Sequence, residues 1–315
     1  DHQLRTRYKN FIFQILEDSG IDAIQPLYGI HRETDITEKC SENLSGYRGT
    51  RPVRFGNQAY EQQQNDVWGA IILSLCDLFS SSEHTTTSKI EDFKCLERLG
   101  EHALEKWDQP DAGIWEFRSF GRPHTFSAVM CWAAIDRLSK IAGTLQIPDR
   151  SAFWRRQANE IRKNILEKAW NVSLQSLVET FYGEDVDASL LLLPKLGFIE
   201  ASDPRFISTL RMIEKKLLKD GFLYRYVTED DFGHAEVAFT VCTFWYIDAL
   251  YGSGEKDKAR DHFEWLMKKR NHAGLLSEDI CFDTHELWGN YPQTYSLAGL
   301  IHSAMLLSGL KQDKL

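Results

Sequence analysis

One glutamate lies in a loop-like segment whose neighbours suit acid–base chemistry. Glu116 follows Trp115 in the segment 111–118, Asp-Ala-Gly-Ile-Trp-Glu-Phe-Arg, which Gln-Pro-Asp opens as a turn. A carboxyl group beside an indole is partly desolvated, so its pKa rises and it can hold a proton near neutral pH, as a general acid must. On this segment alone, a packed Trp115 beside an ordinary solvated carboxylate is favoured, because Trp-Glu pairs are common.

Aromatic residues are concentrated in the predicted loops. Aromatic rings in loops stack on sugars or line a pocket, although they also cover the edges of a core. Those in loops are Trp115, Tyr182, Tyr224, Tyr226, Trp288 and Tyr291. The long polar link 26–57 adds Tyr47 and three arginines, Arg48, Arg51 and Arg54. Arginines there bind carboxylates or sugar hydroxyls, or form structural ion pairs, and the sequence favours neither alternative.

Composition narrows the class of protein. The 315 residues are 43% hydrophobic and 26% charged, as in water-soluble globular proteins, and the formal net charge of -9 argues against nucleic acid as a partner. Six scattered cysteines without a CxxC pair, and ten histidines without metal-ligand spacing, predict no metal and no cofactor. With no leader and no long apolar run, we predict a cytoplasmic protein without membrane contact. The sequence specifies no partner protein and no oligomeric state.

Helices must position these loops. Apolar residues at helical spacing predict about ten helices and almost no strand. The clearest helices span about 2–18, 58–80, 90–107, 126–142, 148–165, 204–217, 236–251, 255–271 and 293–309. Short links alternate with four long aromatic and acidic loops, which is typical of helical hairpins with their working loops at one end. The fold class predicted is therefore all-α, a toroid of hairpins.

Several motifs, in this order, resemble glycoside hydrolase family 15, the glucoamylase, glucodextranase and bacterial-type trehalase group. The resemblance covers nearly the whole chain. The motifs are residues 46–57 (GYRGTRPVRFGN), 113–116 (GIWE), 187–194 (DASLLLLP), 224–226 (YRY), 274–278 (GLLSE) and 289–293 (GNYPQ).

The resemblance implies an (α/α)6 barrel and inverting exo-hydrolysis of α-glucosidic bonds, with an oligosaccharide or disaccharide as substrate. Glu116 matches the family's general acid, and Glu278 matches the general base that activates water. Inversion requires two carboxyl groups about 6.5–9.5 Å apart, with water between the base and the anomeric carbon. Trp115 is expected to keep Glu116 protonated, whereas Glu278, followed by Asp279, is expected in a wetter site that keeps it ionised.

The resemblance also implies residues that hold the sugar. Arg225 matches the arginine that binds the non-reducing sugar, and Glu236 matches an acid at the same mouth; the structural alternative for both is a buried ion pair. The further substrate-binding candidates are Trp115, Arg118, Tyr47, Arg51, Trp288 and Asn290.

Two departures from the family are visible. Family members carry a Trp-x-Arg-Asp segment upstream of this chain's first residue, so we expect 1–315 to be a single catalytic barrel domain without the N-terminal β-domain and the first barrel helices. After the acid, Pro123 is inserted and Ala128 replaces a lysine, which should reshape the pocket wall.

Two other functions stay open. One is a non-catalytic carbohydrate-binding remnant of the same fold. The other is a different six-hairpin sugar enzyme, such as a lyase or epimerase, for which His124, His234 and His285 are the candidates.

Overall fold

The computed structural model describes residues 2–80, 86–118, 121–229, 233 and 236–310, and this part of the chain is mostly helical, as predicted. It divides into two compact units. The first comprises Asp1–Pro123 and Met130–Ala158, and the second comprises His124–Val129 and Asn159–Leu315. The assignment of 1–315 to one catalytic domain, and the toroid of hairpins without its first barrel helices, stay predictions.

The first unit combines helices with one strand pair. Strands β1 and β2 are antiparallel, with Lys39 opposite Phe55. The last two helices extend into the second unit. The elements are α1 (His2–Ser19), β1 (Lys39–Ser41), β2 (Val53–Phe55), α2 (Val67–Leu75), α3 (Asp77–Ser80), α4 (Thr86–Lys106), α5 (Thr125–Thr144) and α6 (Pro148–Lys168).

Close contacts hold the helices of the first unit. The Trp68 ring of α2 stacks on His102 of α4 with centroids 5.2 Å apart. The indole nitrogen of the fully buried Trp154 on α6 donates to the Glu97 carboxylate of α4 at 2.7 Å. Large apolar faces thus pack together, and the indole N–H of Trp154 keeps a partner where it enters them.

The second unit is built around α8. Its remaining elements are β3 (Trp170–Asn171), β4 (Ser176–Leu177), α7 (Pro204–Leu217), β5 (Leu218–Lys219), β6 (Phe222–Leu223), β7 (Val237–Phe239), α8 (Thr240–Gly252), α9 (Lys256–Met267), β8 (Asp279–Cys281), β9 (Leu287–Trp288) and α10 (Thr294–Leu307). Helix α7 begins where Asp203-Pro204 predicts, because the Asp203 side chain accepts the Arg205 N–H at 2.9 Å. Helices α8 and α9 form the predicted hairpin, in which Gly254 has φ +98°.

The prediction of almost no strand was incomplete. Nine strands of two or three residues occur in the described residues, all within links between helices. The helix expected over 58–80 is a short 3-10 helix, Gln58–Glu61, followed by α2 and α3, and the helix expected from 236 begins at Thr240. Residues Val237–Phe239 pair with Asp279–Cys281 instead, because a short apolar run has no periodicity that separates strand from helix. In the part of the chain that the structure describes, no helix meets the length and apolarity that crossing a membrane requires.

A glycine contact tests the packing of the first unit. A Cβ added to Gly69 on α2 would lie 2.3 Å from the carbonyl oxygen of Met130 on α5, whereas one added to Gly143 on α5 meets nothing nearer than 3.6 Å. We expect Gly69→Ala to lower the free energy of unfolding by about 1–3 kcal/mol. The matched Gly143→Ala should leave it unchanged or raise it by up to about 1 kcal/mol. Urea denaturation measures both, and equal effects would contradict the packing described.

Candidate functional site

Glu116 lies in a tight turn of the first unit. Its N–H donates to the Gly113 carbonyl at 3.2 Å, and its φ of +59° lies in the left-handed region that non-glycine residues rarely adopt. The turn is closed at its base by Asp111 and Arg122, which exchange backbone hydrogen bonds of 3.0 and 3.1 Å. Strained backbone of this kind often occurs where a side chain has to be aimed.

The neighbours of Glu116 fix the turn. Trp115 and Phe117 are buried, while Glu116 between them keeps part of its surface exposed. The Gln62 amide donates to the backbone carbonyls of Glu116 and Phe117 at 3.1 and 3.3 Å. The Asn57 amide lies 3.4 Å from Glu116 Oε2. The carboxyl group is therefore held from one side and open to solvent on another.

Two aspartates that the sequence analysis missed accompany Glu116. Asp111 is buried and its Oδ2 accepts the Asn65 N–H at 2.7 Å. Asp66 keeps some surface exposed, but its Oδ1 is buried and has no hydrogen-bond partner among the described residues. Burial, and then the negative charges of Asp111 and Glu116, raise the pKa of Asp66 to about 7. The polar Asn65-Asp66 pair ahead of an apolar helix was the available signal.

The other candidates of the first unit lie around the link between β1 and β2. Arg118 is exposed and its guanidinium forms an ion pair of 2.9 Å with Glu38, whose other oxygen lies 3.3 Å from Arg54. The structural ion pair is thus found for Arg54, and it joins the Glu116 turn to the strand pair. Tyr47 and Arg51 are exposed in the link itself, and their sugar-binding roles stay predictions.

Glu278, in the second unit, is held by hydrogen bonds on both carboxylate oxygens. Its Oε2 accepts the backbone N–H of Asn290 at 3.0 Å and the Asn290 side-chain amide at 2.9 Å. Its Oε1 accepts the Gln293 amide at 3.3 Å, and its N–H donates to the Asn290 carbonyl at 2.9 Å. Part of the side chain remains exposed. Donors on both oxygens fix the plane of the carboxylate while leaving it open to a small molecule.

A three-stranded sheet carries this loop. Strand β8 starts directly after Glu278 and lies between β7 and β9, so that Asp279 faces Phe239 on one side and Trp288 on the other. The Thr240 N–H, at the start of α8, donates to the Glu278 carbonyl at 2.9 Å. Glu236 is exposed and directly precedes the neighbouring strand β7. Helix α8 and the sheet therefore set where Glu278 lies.

A wetter site was expected for Glu278, which keeps part of its surface exposed, and Asp279 follows it directly. Asp279 is partly buried. This burial, followed by repulsion from Glu278, raises the pKa of Asp279 to about 7, whereas the positive charge of Arg225 acts in the opposite direction. Arg225 is partly buried, and its carbonyl accepts the Ala188 N–H at 2.9 Å. The second unit thus brings together four of the predicted residues, Glu278, Asn290, Trp288 and Arg225, and adds Asp279 and Gln293.

The histidines expected for a lyase or epimerase differ in their surroundings. His124 is buried and its backbone bridges to Thr180. His285 is exposed and its Nδ1 lies 2.7 Å from the Lys269 ammonium. His234 lies outside the described residues. Among the described residues, no group of three or more His, Cys, Asp or Glu is placed to hold a metal ion.

The chain matches a known family over nearly its whole length. A model of glycosyl hydrolases family 15 matches residues 5–305. A trehalase of Thermoplasma volcanium is 37% identical over 282 residues, which are 89% of this chain and 45% of that protein. A trehalase of Mycolicibacterium smegmatis is 35% identical over 286 residues, 90% of this chain and 42% of that protein. The chain spans about half the length of these curated relatives.

Solved structures share the fold. A bacterial glucoamylase complexed with acarbose superposes with a TM-score of 0.66 and 16% identity, over 83% of this chain and 44% of that chain. A glucoamylase from Saccharomycopsis fibuligera superposes with a TM-score of 0.64 and 14% identity, over 82% and 74%. At these identities the likeness shows the fold alone, and that fold agrees with the predicted class.

The carboxyl group of Asp66, whose Oδ1 is buried, predicts a pH-dependent stability. A folded-state pKa of about 7, above the ordinary 3.8, means that the folded chain holds this proton more tightly than the unfolded chain. This contribution to stability is complete below about pH 4 and is lost as the pH rises through 7. Between pH 5 and 8 the free energy of unfolding should therefore fall by about 2–3 kcal/mol more in the wild-type chain than in Asp66→Asn.

Urea denaturation at the two pH values measures this difference. Glu105→Gln, the same change at an exposed position of α4, is the control and should keep the wild-type pH dependence. An Asp66→Asn chain that loses as much stability as the wild type would contradict the burial of this carboxyl group.

Proposed function

The chain belongs to glycosyl hydrolase family 15, and on that premise we propose that it is a glycosidase that hydrolyses α-glucosides with inversion, with trehalose as its substrate. One observation carries the proposal: the Glu278 carboxylate is held by donors on both oxygens and still has exposed surface. Trehalose is chosen because the curated relatives that match are trehalases.

Glu278 is the general base in this proposal. A base must point one oxygen at a water molecule that attacks the anomeric carbon, and its orientation must survive the approach of the substrate. The two Asn290 donors on Oε2 and the Gln293 donor on Oε1 support such a fixed orientation. The proton of the attacking water passes to Glu278 as the new C–O bond forms.

Glu116 is the general acid. It donates its proton to the glycosidic oxygen as the bond from that oxygen to the anomeric carbon breaks, so the leaving glucose departs as a neutral alcohol. The turn that holds Glu116 is anchored by buried aromatic residues and by Gln62, which supports a fixed direction of approach. Inversion requires that the acid and the base act on opposite faces of one sugar.

The remaining candidates hold the sugar. We propose that Arg225 and Glu236 bind hydroxyl groups of the glucose that is attacked, because guanidinium and carboxylate groups form strong hydrogen bonds with hydroxyls. Trp115 and Trp288 offer aromatic surface against which a pyranose ring can pack. Tyr47, Arg51, Arg118 and Asn290 complete the proposed set; Arg118 would exchange or share its contact with Glu38.

Replacing the base tests the proposal. Glu278→Gln keeps the size and the hydrogen-bonding shape but cannot accept the proton from water, so we expect kcat for trehalose to fall by about 10²–10⁴-fold or more. The fold, checked by circular dichroism, should be unchanged. Asp283→Asn, the same chemical change at an exposed residue five positions along the chain, should leave kcat within about twofold.

An equal, small effect of these two variants would contradict the role of Glu278. A wild-type chain that binds trehalose without turnover would favour the non-catalytic alternative. Isothermal titration calorimetry separates binding from turnover when it is run on Glu278→Gln.

Replacing the acid gives a leaving-group test. Glu116→Gln should lower kcat for trehalose by about 10²–10⁴-fold, because the sugar leaving group needs a proton. With α-D-glucosyl fluoride as the substrate, kcat should fall much less, since fluoride departs without that proton. Glucose release measures kcat with each substrate, and a larger fall with trehalose than with the fluoride identifies Glu116 as the acid. Equal falls with both substrates would exclude that role.

A further inference from the structure

Asp279 shares the surroundings of Glu278 although no role has been assigned to it. It is the first residue of β8, and its register opposite Phe239 and Trp288 places it in the middle of the three-stranded sheet. Neighbouring side chains on a strand normally point to opposite faces. Glu278, however, precedes the strand and is turned by its bonds to Asn290.

Both carboxyl groups converge on one glycine. Gly289 has φ +76°, and a Cβ built on it would lie 2.9 Å from Asp279 Oδ2 and 2.9 Å from Glu278 Oε2. Because Asp279 Oδ2 and Glu278 Oε2 each lie 2.9 Å from the same Cβ position, the two oxygens are separated by at most twice that distance. The absent side chain at Gly289 is what leaves room for both oxygens.

Other charged or titratable groups face this place from three elements. Arg225 comes from the segment after β6, and its positive charge opposes the effect of Glu278 on Asp279. Cys242 comes from α8; burial raises the pKa of its thiol far above the ordinary value, so it stays neutral. Asp187, which precedes a short 3-10 helix, is held by the Ser189 hydroxyl at 2.6 Å.

We propose that Asp279 is a positioning residue for Glu278 and Arg225. It fills this role only while its carboxyl group is protonated and therefore neutral. In that form Glu278 is the single negative charge beside Gly289, and Arg225 is available to the sugar. When Asp279 loses its proton, a second negative charge lies beside the base and attracts the Arg225 guanidinium away from the substrate. This inference rests on the proposed function of Glu278 as the base. The folded-state pKa of about 7 would place the transition within the working range of pH.

The test is the pH profile with a substrate that needs no acid. With α-D-glucosyl fluoride, kcat/KM of the wild-type chain should fall about tenfold from pH 6 to pH 8, as for loss of one proton near pH 7. Asp279→Asn keeps the shape and is always neutral, so its profile should stay within about twofold over that range. Asp283→Asn should follow the wild type.

Two results would overturn the inference. In one, kcat/KM of Asp279→Asn falls between pH 6 and pH 8 as much as that of the wild-type chain. In the other, Asp279→Asn is folded but its kcat/KM is lowered by the same factor at every pH. A second readout needs no activity. In a chain with ¹³C-labelled aspartate carboxyls, the signal that Asp279→Asn removes should titrate near pH 7 and should titrate at lower pH in Glu278→Gln. If no α-glucoside is cleaved but the Asp279 signal still titrates at lower pH in Glu278→Gln, the proposed function fails and the contact between Asp279 and Glu278 stands. If Glu278→Gln leaves the titration of Asp279 unchanged, the inference itself is overturned.

Discussion

Carboxyl groups that lie close together and away from water disfavour one another's charge, and both candidate loops are built within that constraint. In the first unit Asp66 and Asp111 accompany Glu116, and in the second unit Asp279 accompanies Glu278. Each cluster combines a partly exposed glutamate with an aspartate that holds its proton to about pH 7. Asp66 and Asp279 therefore add little negative charge to their clusters below neutrality.

Backbone geometry makes these clusters possible. Glu116 has a left-handed φ, and Gly289 provides the space in which Glu278 and Asp279 meet. Side-chain amides and backbone N–H groups then fix the directions: Gln62 holds the turn of Glu116, and Asn290 holds Glu278. The loops are carried by well-packed helices, as when Thr240 at the start of α8 binds the Glu278 carbonyl. In such an arrangement the packed helices provide the stability, and the loops carry the residues proposed for the chemistry.

The helices were predictable because their signals are local. The Asp203-Pro204 start of α7 and the glycine turn between α8 and α9 each depend on residues adjacent in sequence. The strands of two or three residues were missed, since Val237–Phe239 becomes a strand only by pairing with residues 40 to 44 positions away. Glu116 and Glu278 were named from motifs, but the burial of Asp66 and Asp279 depends on the tertiary structure.

The most direct measurement is the anomeric form of the glucose first released from trehalose, followed by ¹H NMR within minutes of mixing, before mutarotation. Both anomeric carbons of trehalose are α. Attack by water on the face opposite the bond that breaks converts one of them to β, while the leaving glucose keeps its α-configuration. We predict equal initial amounts of α- and β-glucose from the wild-type chain. Initial release of α-glucose alone would show retention and would contradict a mechanism in which Glu278 activates water and Glu116 protonates the leaving group.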